Sequence, residues 1–267
     1  MAELAFDRAG SGEPLLLLHS LGADRHVWAP VVDLLTPERD VIAVDMPGFG
    51  DSPPLTGHEP PSAAVLSAAV ARFLDDIGVS CPHVAGNSLG GWVALQMALE
   101  RTVRSVTAIA PAGLWARALG PRPSPGRALA KSALPLIAGV MSTEAGRRAA
   151  LSGVMAHPER LSRTDAVRLV RAYAAAPGYD ATNTAMRAGR FQGLEHVRVP
   201  LTLGWPDRDR LVGRPAHLPP RARNVVLHDC GHVPMWDDPR QVANLLLSGS
   251  AAGGSPAPGA GSPAGRA

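Results

Sequence analysis

The sequence predicts an α/β protein: a mostly parallel central sheet flanked by helices, with a helical segment inserted late in the chain. Three observations carry this. Short apolar runs alternate with helical patterns, as a sheet built from β-α units requires. The runs are near-continuously apolar, as strands covered on both faces must be. One long stretch, Trp115 to Gly193, interrupts the alternation and holds no strand pattern.

The strand candidates are Pro14–His19, Asp40–Met46, His83–Asn87, Arg104–Ala110, Pro200–Trp205 and Asn224–His228, with an opening strand near Leu4–Asp7 at an edge. Between them, Ser62–Ile77 sets Val65, Leu66, Val70, Phe73, Leu74 and Ile77 roughly on one helix face. Leu89–Glu100 reads as the helix after the third run. Asp237 is placed to cap a last helix, with Pro239 in its first turn and Val242, Leu245 and Leu246 facing inward. The interruption reads as helices over Arg127–Met141 (broken at Pro135), Glu144–Met155 and Asp165–Ala176, with a capping box from Ser162 to Asp165.

The division that follows is a core of residues 1–114 and 194–247, a helical cap of 115–193 and a tail of 248–267. The tail is Gly, Ser, Pro and Ala with one arginine, and is expected to be disordered for want of apolar surface.

The chain has 267 residues, 46% hydrophobic and 18% charged, which suits one sizeable core. The net charge is +3, and its cations are arginines apart from Lys131. They form no basic stripe with interleaved aromatics, which argues against nucleic-acid binding. Cys81 and Cys230 lie outside any ligand-spaced cluster, so neither a metal nor another cofactor is expected. Residues Met1 to Gly12 carry acids and no basic export signal, and the run Leu15–Leu18 is too short to span a bilayer. The expectation is a cytoplasmic protein off the membrane; the sequence is silent on its oligomeric state.

Gly86-Asn87-Ser88-Leu89-Gly90 is a G-x-S-x-G pattern between a strand candidate and a helix candidate. On such a strained strand-to-helix turn the serine hydroxyl is pushed out above the sheet, and the N–H of Leu89 points at the reacting centre. A serine nucleophile needs a base, and the base needs an orienting acid. Asp207 and Asp209 lie on one loop past a later strand, and His232 on the next such loop, before the last helix. His228, in a strand, and His217, in a Pro-rich connection, are its rivals.

These motifs, with His19-Ser20-Leu21-Gly22, Asp45-Met46-Pro47-Gly48-Phe49-Gly50-Asp51-Ser52 and Gly231-His232-Val233-Pro234, resemble the α/β-hydrolase superfamily in its cap-bearing serine hydrolase branch. The resemblance covers Leu4 to about Leu247. It implies the α/β-hydrolase fold, and Ser88, Asp209 and His232 as a catalytic triad, with Asp209 preferred over Asp207 because it matches the family's acid position. It also implies oxyanion donors at the N–H groups of Leu21 and Leu89, and a structural role for His19 and for the Asp45–Ser52 loop. Ser20 and Pro206 depart from glycines common in the family. Serine at the elbow disfavours the branches that use aspartate there, the dehalogenases and epoxide hydrolases. The implied reaction is acyl-enzyme hydrolysis of a small to medium, largely apolar ester, lactone or related substrate, of the carboxylic-ester type. Carbon–carbon hydrolysis of ring-fission products, or ligand binding without catalysis, are the alternatives. Trp115, Met141, Met155, Tyr173 and Phe191, in or bordering the cap, are the pocket candidates.

Overall fold

The structure, a computed structural model, describes residues 3–100, 103–120 and 125–251. Seven strands form one sheet: β1 (Phe6–Gly10), β2 (Glu13–Leu18), β3 (Arg39–Val44), β4 (His83–Asn87), β5 (Ser105–Ile109), β6 (Leu201–Pro206) and β7 (Arg223–Leu227). Their order is β1-β3-β2-β4-β5-β6-β7. Only β1 runs antiparallel, pairing Phe6 with Val44 at the edge; the rest is parallel, with Leu15–Leu18 set between Val41–Val44 and His83–Gly86. Every strand falls within a few residues of its sequence-based position.

Alternation along the strands divides the core into two layers. Leu16, Leu18, Ile42, Val44 and Val84 face α2 (Ala63–Asp76) and α3 (Leu89–Glu100), where Leu66, Val70, Phe73, Val93 and Leu95 are buried. Leu15, Leu17, Val41 and Ala85 face the other side, against α1 (Ala29–Leu35) and a C-terminal helix, Pro239–Ala251. Each fully buried aliphatic of this kind contributes about 1.5–3 kcal/mol relative to exposure.

Between β5 and β6 the described chain is helical: α4 (Pro125–Ala133), α5 (Ile137–Val140), α6 (Glu144–Leu151), α7 (Arg163–Ala175) and α8 (Tyr179–Ala188). Ser162 caps α7, its Oγ accepting from the Asp165 N–H at 3.1 Å; the Asp165 carboxylate accepts from that hydroxyl at 2.6 Å, so the cap is the serine half of the expected box. Arg127 is the polar centre of this insertion. Its buried guanidinium donates to the carbonyls of Tyr173 and Ala176, pairs with Asp180 at 2.6 Å, and lies 4.8 Å from the Tyr179 ring centroid. The two ends of the insertion meet at a neck. The Phe191 N–H donates to the Gly113 carbonyl at 2.8 Å, and Trp115 Nε1 donates to the Gly189 carbonyl at 2.9 Å.

Two expectations change at the C-terminus. The last helix, α9 (Pro239–Ala251), continues through Ser248, Gly249 and Ser250, which composition had assigned to the tail. The reason is packing. Gly249 lies so close to Thr107 that a Cβ would collide with its Oγ1, and buried Ser250 accepts from Arg39 Nε at 3.0 Å. The cap of α9 is Asp238, not Asp237: Asp238 Oδ1 accepts from the Gln241 N–H at 2.9 Å. The rest of the expected tail, 252–267, lies outside the described residues.

A chain ending at Ala251 keeps these contacts. One ending at Leu247 loses the Gly249 and Ser250 contacts and should melt about 2–4 °C lower for each ~1 kcal/mol removed, read by calorimetry. Equal melting temperatures would show that these residues contribute nothing.

Candidate active site

The parallel strands end on one edge of the sheet, and the candidate residues gather there. Ser88 directly follows β4, with φ 56. Left-handed backbone at a non-glycine residue costs about 1–3 kcal/mol and persists only where the surroundings enforce it. Here they do. The Ser88 N–H donates to the Ile109 carbonyl at 2.9 Å, and its own carbonyl accepts from Trp92 and Ala112, each at 3.0 Å. Glycine is required on both sides: a Cβ on Gly86 would strike the Gly90 carbonyl, and one on Gly90 the Leu18 carbonyl. Leu89 opens α3, so its N–H lies in the first turn, where a helix supplies no acceptor of its own.

Leu21 lies in the turn after β2, closed by the Ala23 N–H on the Ser20 carbonyl at 3.1 Å, with Gly22 at φ 78. His19 braces this turn. Its Nδ1 donates to the Ser20 carbonyl at 2.9 Å, and its Nε2 accepts from the Met46 N–H at 2.9 Å. Both ring nitrogens are thereby engaged in the neutral form, and burial lowers the pKa. The Asp45–Ser52 loop is tied to the same turn. Buried Asp45 accepts the Arg25 N–H at 2.6 Å and the Asp51 N–H at 2.9 Å, and pairs with the Arg25 guanidinium.

On the loops after β6 and β7, Asp209 Oδ2 lies 2.7 Å from His232 Nδ1. The Asp209 side chain is 2% exposed, and its Oδ1 also accepts from the N–H groups of Leu211 and Val212 at 2.7 and 3.1 Å. Burial alone would push this carboxyl up. The hydrogen bond and charge of His232, with the two N–H groups, outweigh it and hold the pKa below the ordinary value. Asp207 does not reach His232: it faces His228 at 3.4 Å and the Cys230 N–H at 3.4 Å. Pro206 is the last residue of β6 and lies opposite Leu227 of β7.

The sequence assigned no role to the Asn87 side chain, yet it joins the two halves of the site. Its Nδ2 donates to the Ile109 carbonyl at 3.2 Å and to the His232 carbonyl at 3.0 Å. The residue before Ser88 thus holds the backbone of His232. A contact across so long a sequence separation has no local signature. Ser88 and His232 are 7% and 5% exposed.

The five pocket candidates separate. Tyr173 reaches the turn after β2, with a ring carbon 2.7 Å from where a Cβ on Gly22 would stand. Trp115 packs edge-to-face on Trp92 of α3 at 5.7 Å between ring centroids. The Met155 backbone lies against Gly231, beside His232. Met141 and Phe191 are buried in the two apolar layers. Elsewhere, a cleft of about 640 Å³ beside α7 is lined by Asp24, Asp51, Arg163, Arg168 and Arg171 among others, and by neither Ser88 nor His232. Among the described residues no acid, histidine and cysteine cluster suits a metal ion, and no helix is long and apolar enough to cross a membrane.

A seven-stranded, mostly parallel sheet with a serine on a strained turn past its central strand defines an α/β hydrolase. The α/β hydrolase family model matches residues 15–245, and the chain belongs to that family. It is 33% identical over 206 residues to the epoxide hydrolase EphH of Mycobacterium tuberculosis, covering 70% of this chain and 94% of that one. It is 31% identical over 261 residues to a pimeloyl-[acyl-carrier protein] methyl ester esterase of Aeromonas hydrophila, covering 91% and 97%. The enol-lactonase from Burkholderia xenovorans shares the fold, with a TM-score of 0.72, 19% identity and coverage of 92% and 95%.

Both cysteines are free thiols. Burial, with the carboxylates of Asp237, Asp238, Asp207 and Asp229, pushes the Cys230 thiol up to about 12. Half-buried Cys81 is therefore expected to react first with a disulfide reagent in the native protein, and Cys230 only after unfolding. Labelling followed by peptide mapping checks this, and native modification of Cys230 would contradict its burial.

Proposed function

We propose that this α/β hydrolase is a serine hydrolase that cleaves a carboxylic ester, lactone or related acyl substrate through an acyl-enzyme. The observation that carries the reading is the 2.7 Å contact of Asp209 with His232 Nδ1, on a loop whose backbone is tied to the Ser88 turn by Asn87. A carboxylate on Nδ1 fixes the tautomer. Nδ1 carries the proton, and Nε2 keeps a lone pair to take one.

In this mechanism His232 removes the Ser88 proton as the hydroxyl attacks the acyl carbon. The N–H groups of Leu21 and Leu89 receive the oxyanion. His232 returns the proton to the leaving group, and water then repeats the sequence to release the acid. Asp209 remains ionised and stabilises the imidazolium. His19 takes no part, because both its nitrogens are committed to the backbone.

The helices between β5 and β6 act as a cap, with Tyr173 against the turn after β2 and Trp115 against Trp92 of α3. Their bulk favours a small to medium, largely apolar acyl portion. The methyl ester esterase relative, aligned over 91% of this chain, supports ester chemistry. The epoxide hydrolase relative shares the family, but Ser88 stands where the epoxide-opening branch uses aspartate. Free thiols at Cys81 and Cys230 suit a reducing compartment, and we assign the protein to the cytoplasm.

A fluorophosphonate probe is expected to label wild type at Ser88, and a panel of esters and lactones of graded acyl length to be hydrolysed. Ser88→Ala should abolish labelling and lower turnover by about 10³-fold or more. Near-normal turnover by that variant would refute the assignment. Asp209→Asn should cost up to about 10⁴ in rate by releasing the wrong tautomer, and Asp207→Asn far less. The reverse order would make Asp207 the acid.

A further inference from the structure

Asp237 sits between the short 3₁₀ turn Pro234–Trp236 and α9, and is 7% exposed. Since Asp238 caps the helix, the Asp237 carboxylate is turned to another use. Its Oδ2 accepts from the Gly231 N–H at 2.7 Å, and its Oδ1 from the His157 N–H at 2.8 Å. Both oxygens lie 3.0 Å from the Ala156 N–H. One buried carboxylate therefore gathers three backbone donors. One belongs to the residue before His232, and two belong to the insertion.

Other contacts run along the same seam. The Val233 N–H donates to the Val154 carbonyl at 2.9 Å. A Cβ on Gly231 would come within 2.7 Å of the Met155 backbone. His157 Nε2 lies 2.8 Å from Asp229 Oδ2. Residues 154–157 of the insertion are laid along residues 229–233, with His232 inside that segment. The ring of His232 is held by Asp209 and its carbonyl by Asn87. The backbone just before it is held by Asp237.

We infer that Asp237 is a positioning residue for His232, and that it couples the helical insertion to the proposed base. The inference rests on the serine hydrolase reading. Asp237 does not meet the substrate; it sets where the His232 ring stands relative to Ser88. Hydrogen bonds from N–H to an ionised carboxylate are roughly twice as strong as neutral ones. An amide in its place keeps one acceptor oxygen and turns an NH₂ toward buried N–H groups. The loop then shifts, and a misplacement of about 1 Å costs on the order of 10²-fold in rate.

The test is saturation labelling of the full-length protein by a fluorophosphonate, with melting temperatures and the low-field proton resonance of His232 Nδ1–H. Asp237→Asn should lower the maximal labelling rate about 10–100-fold, with the half-saturating concentration within about twofold. Its His232 resonance should shift or broaden. Asp237→Glu, which keeps the charge, should recover part of the rate. Asp238→Ala, which removes the α9 cap, should lower the melting temperature and leave labelling unchanged per folded molecule. Labelling of Asp237→Asn at the wild-type rate, or equal losses in Asp237→Asn and Asp238→Ala, would overturn the inference. So would a well-folded Asp237→Glu with no recovery. If wild type is not labelled at all, it is the hydrolase reading that fails. The His232 resonance then decides alone: a change in Asp237→Asn supports the positioning role, and an unchanged one rejects it.

Discussion

The left-handed backbone at Ser88 is the constraint on which the rest of the structure depends. It turns the chain from β4 into α3 within one residue, and it is tolerated only because the neighbours leave room and supply bonds. It is also one of a set. Among the described residues three non-glycines have positive φ: Ser88, Ala110 and Asp229. Ser88 and Ala110 immediately follow β4 and β5, and Asp229 comes two residues after β7. Strain is thus stored at the ends of parallel strands, along the edge where the candidate site lies. Backbone held out of its preferred regions in this way is commonly found at functional sites.

Polar groups hold that edge in place. His19 links the turn after β2 to the start of the loop after β3, and Asp45 with Arg25 links the same two segments a few residues on. Removing one partner of a buried ion pair costs roughly 3–5 kcal/mol, because the other charge is left uncompensated. These groups contribute little net stability as pairs, but they fix the turn after β2 against the segment after β3.

The sheet was legible because its strands are apolar on both faces and bounded by turn residues. The candidate site was legible where a residue type and its place past a strand act together, as at the Asp209–His232 contact. What escaped is physically different. The short α1 and α8 were not foreseen: α8 buries only Tyr179 and Thr182 and shows no aliphatic stripe. Ser248–Ser250 looked like tail because small polar residues pack only where a close neighbour, here Thr107 or Arg39, leaves no space for more. Asp237 and Asp238 are equal cap candidates by composition, and only the fold shows which one turns away. Asn87 and Asp237 collect backbone groups from distant segments, which local patterns do not encode.

The neck of the insertion has a consequence for how this architecture varies. Gly113 and Phe191 are hydrogen-bonded, so the chain leaves the sheet and returns to it at one spot. To β5 and β6, everything between those residues is a closed loop. Doubling the length of a flexible loop adds only about 0.6 kcal/mol of closure entropy. Helices there are therefore open to lengthening, shortening or exchange at little thermodynamic expense, provided the neck and the seam along residues 229–233 survive. A change of insertion would leave the pairing register of β5 and β6 untouched.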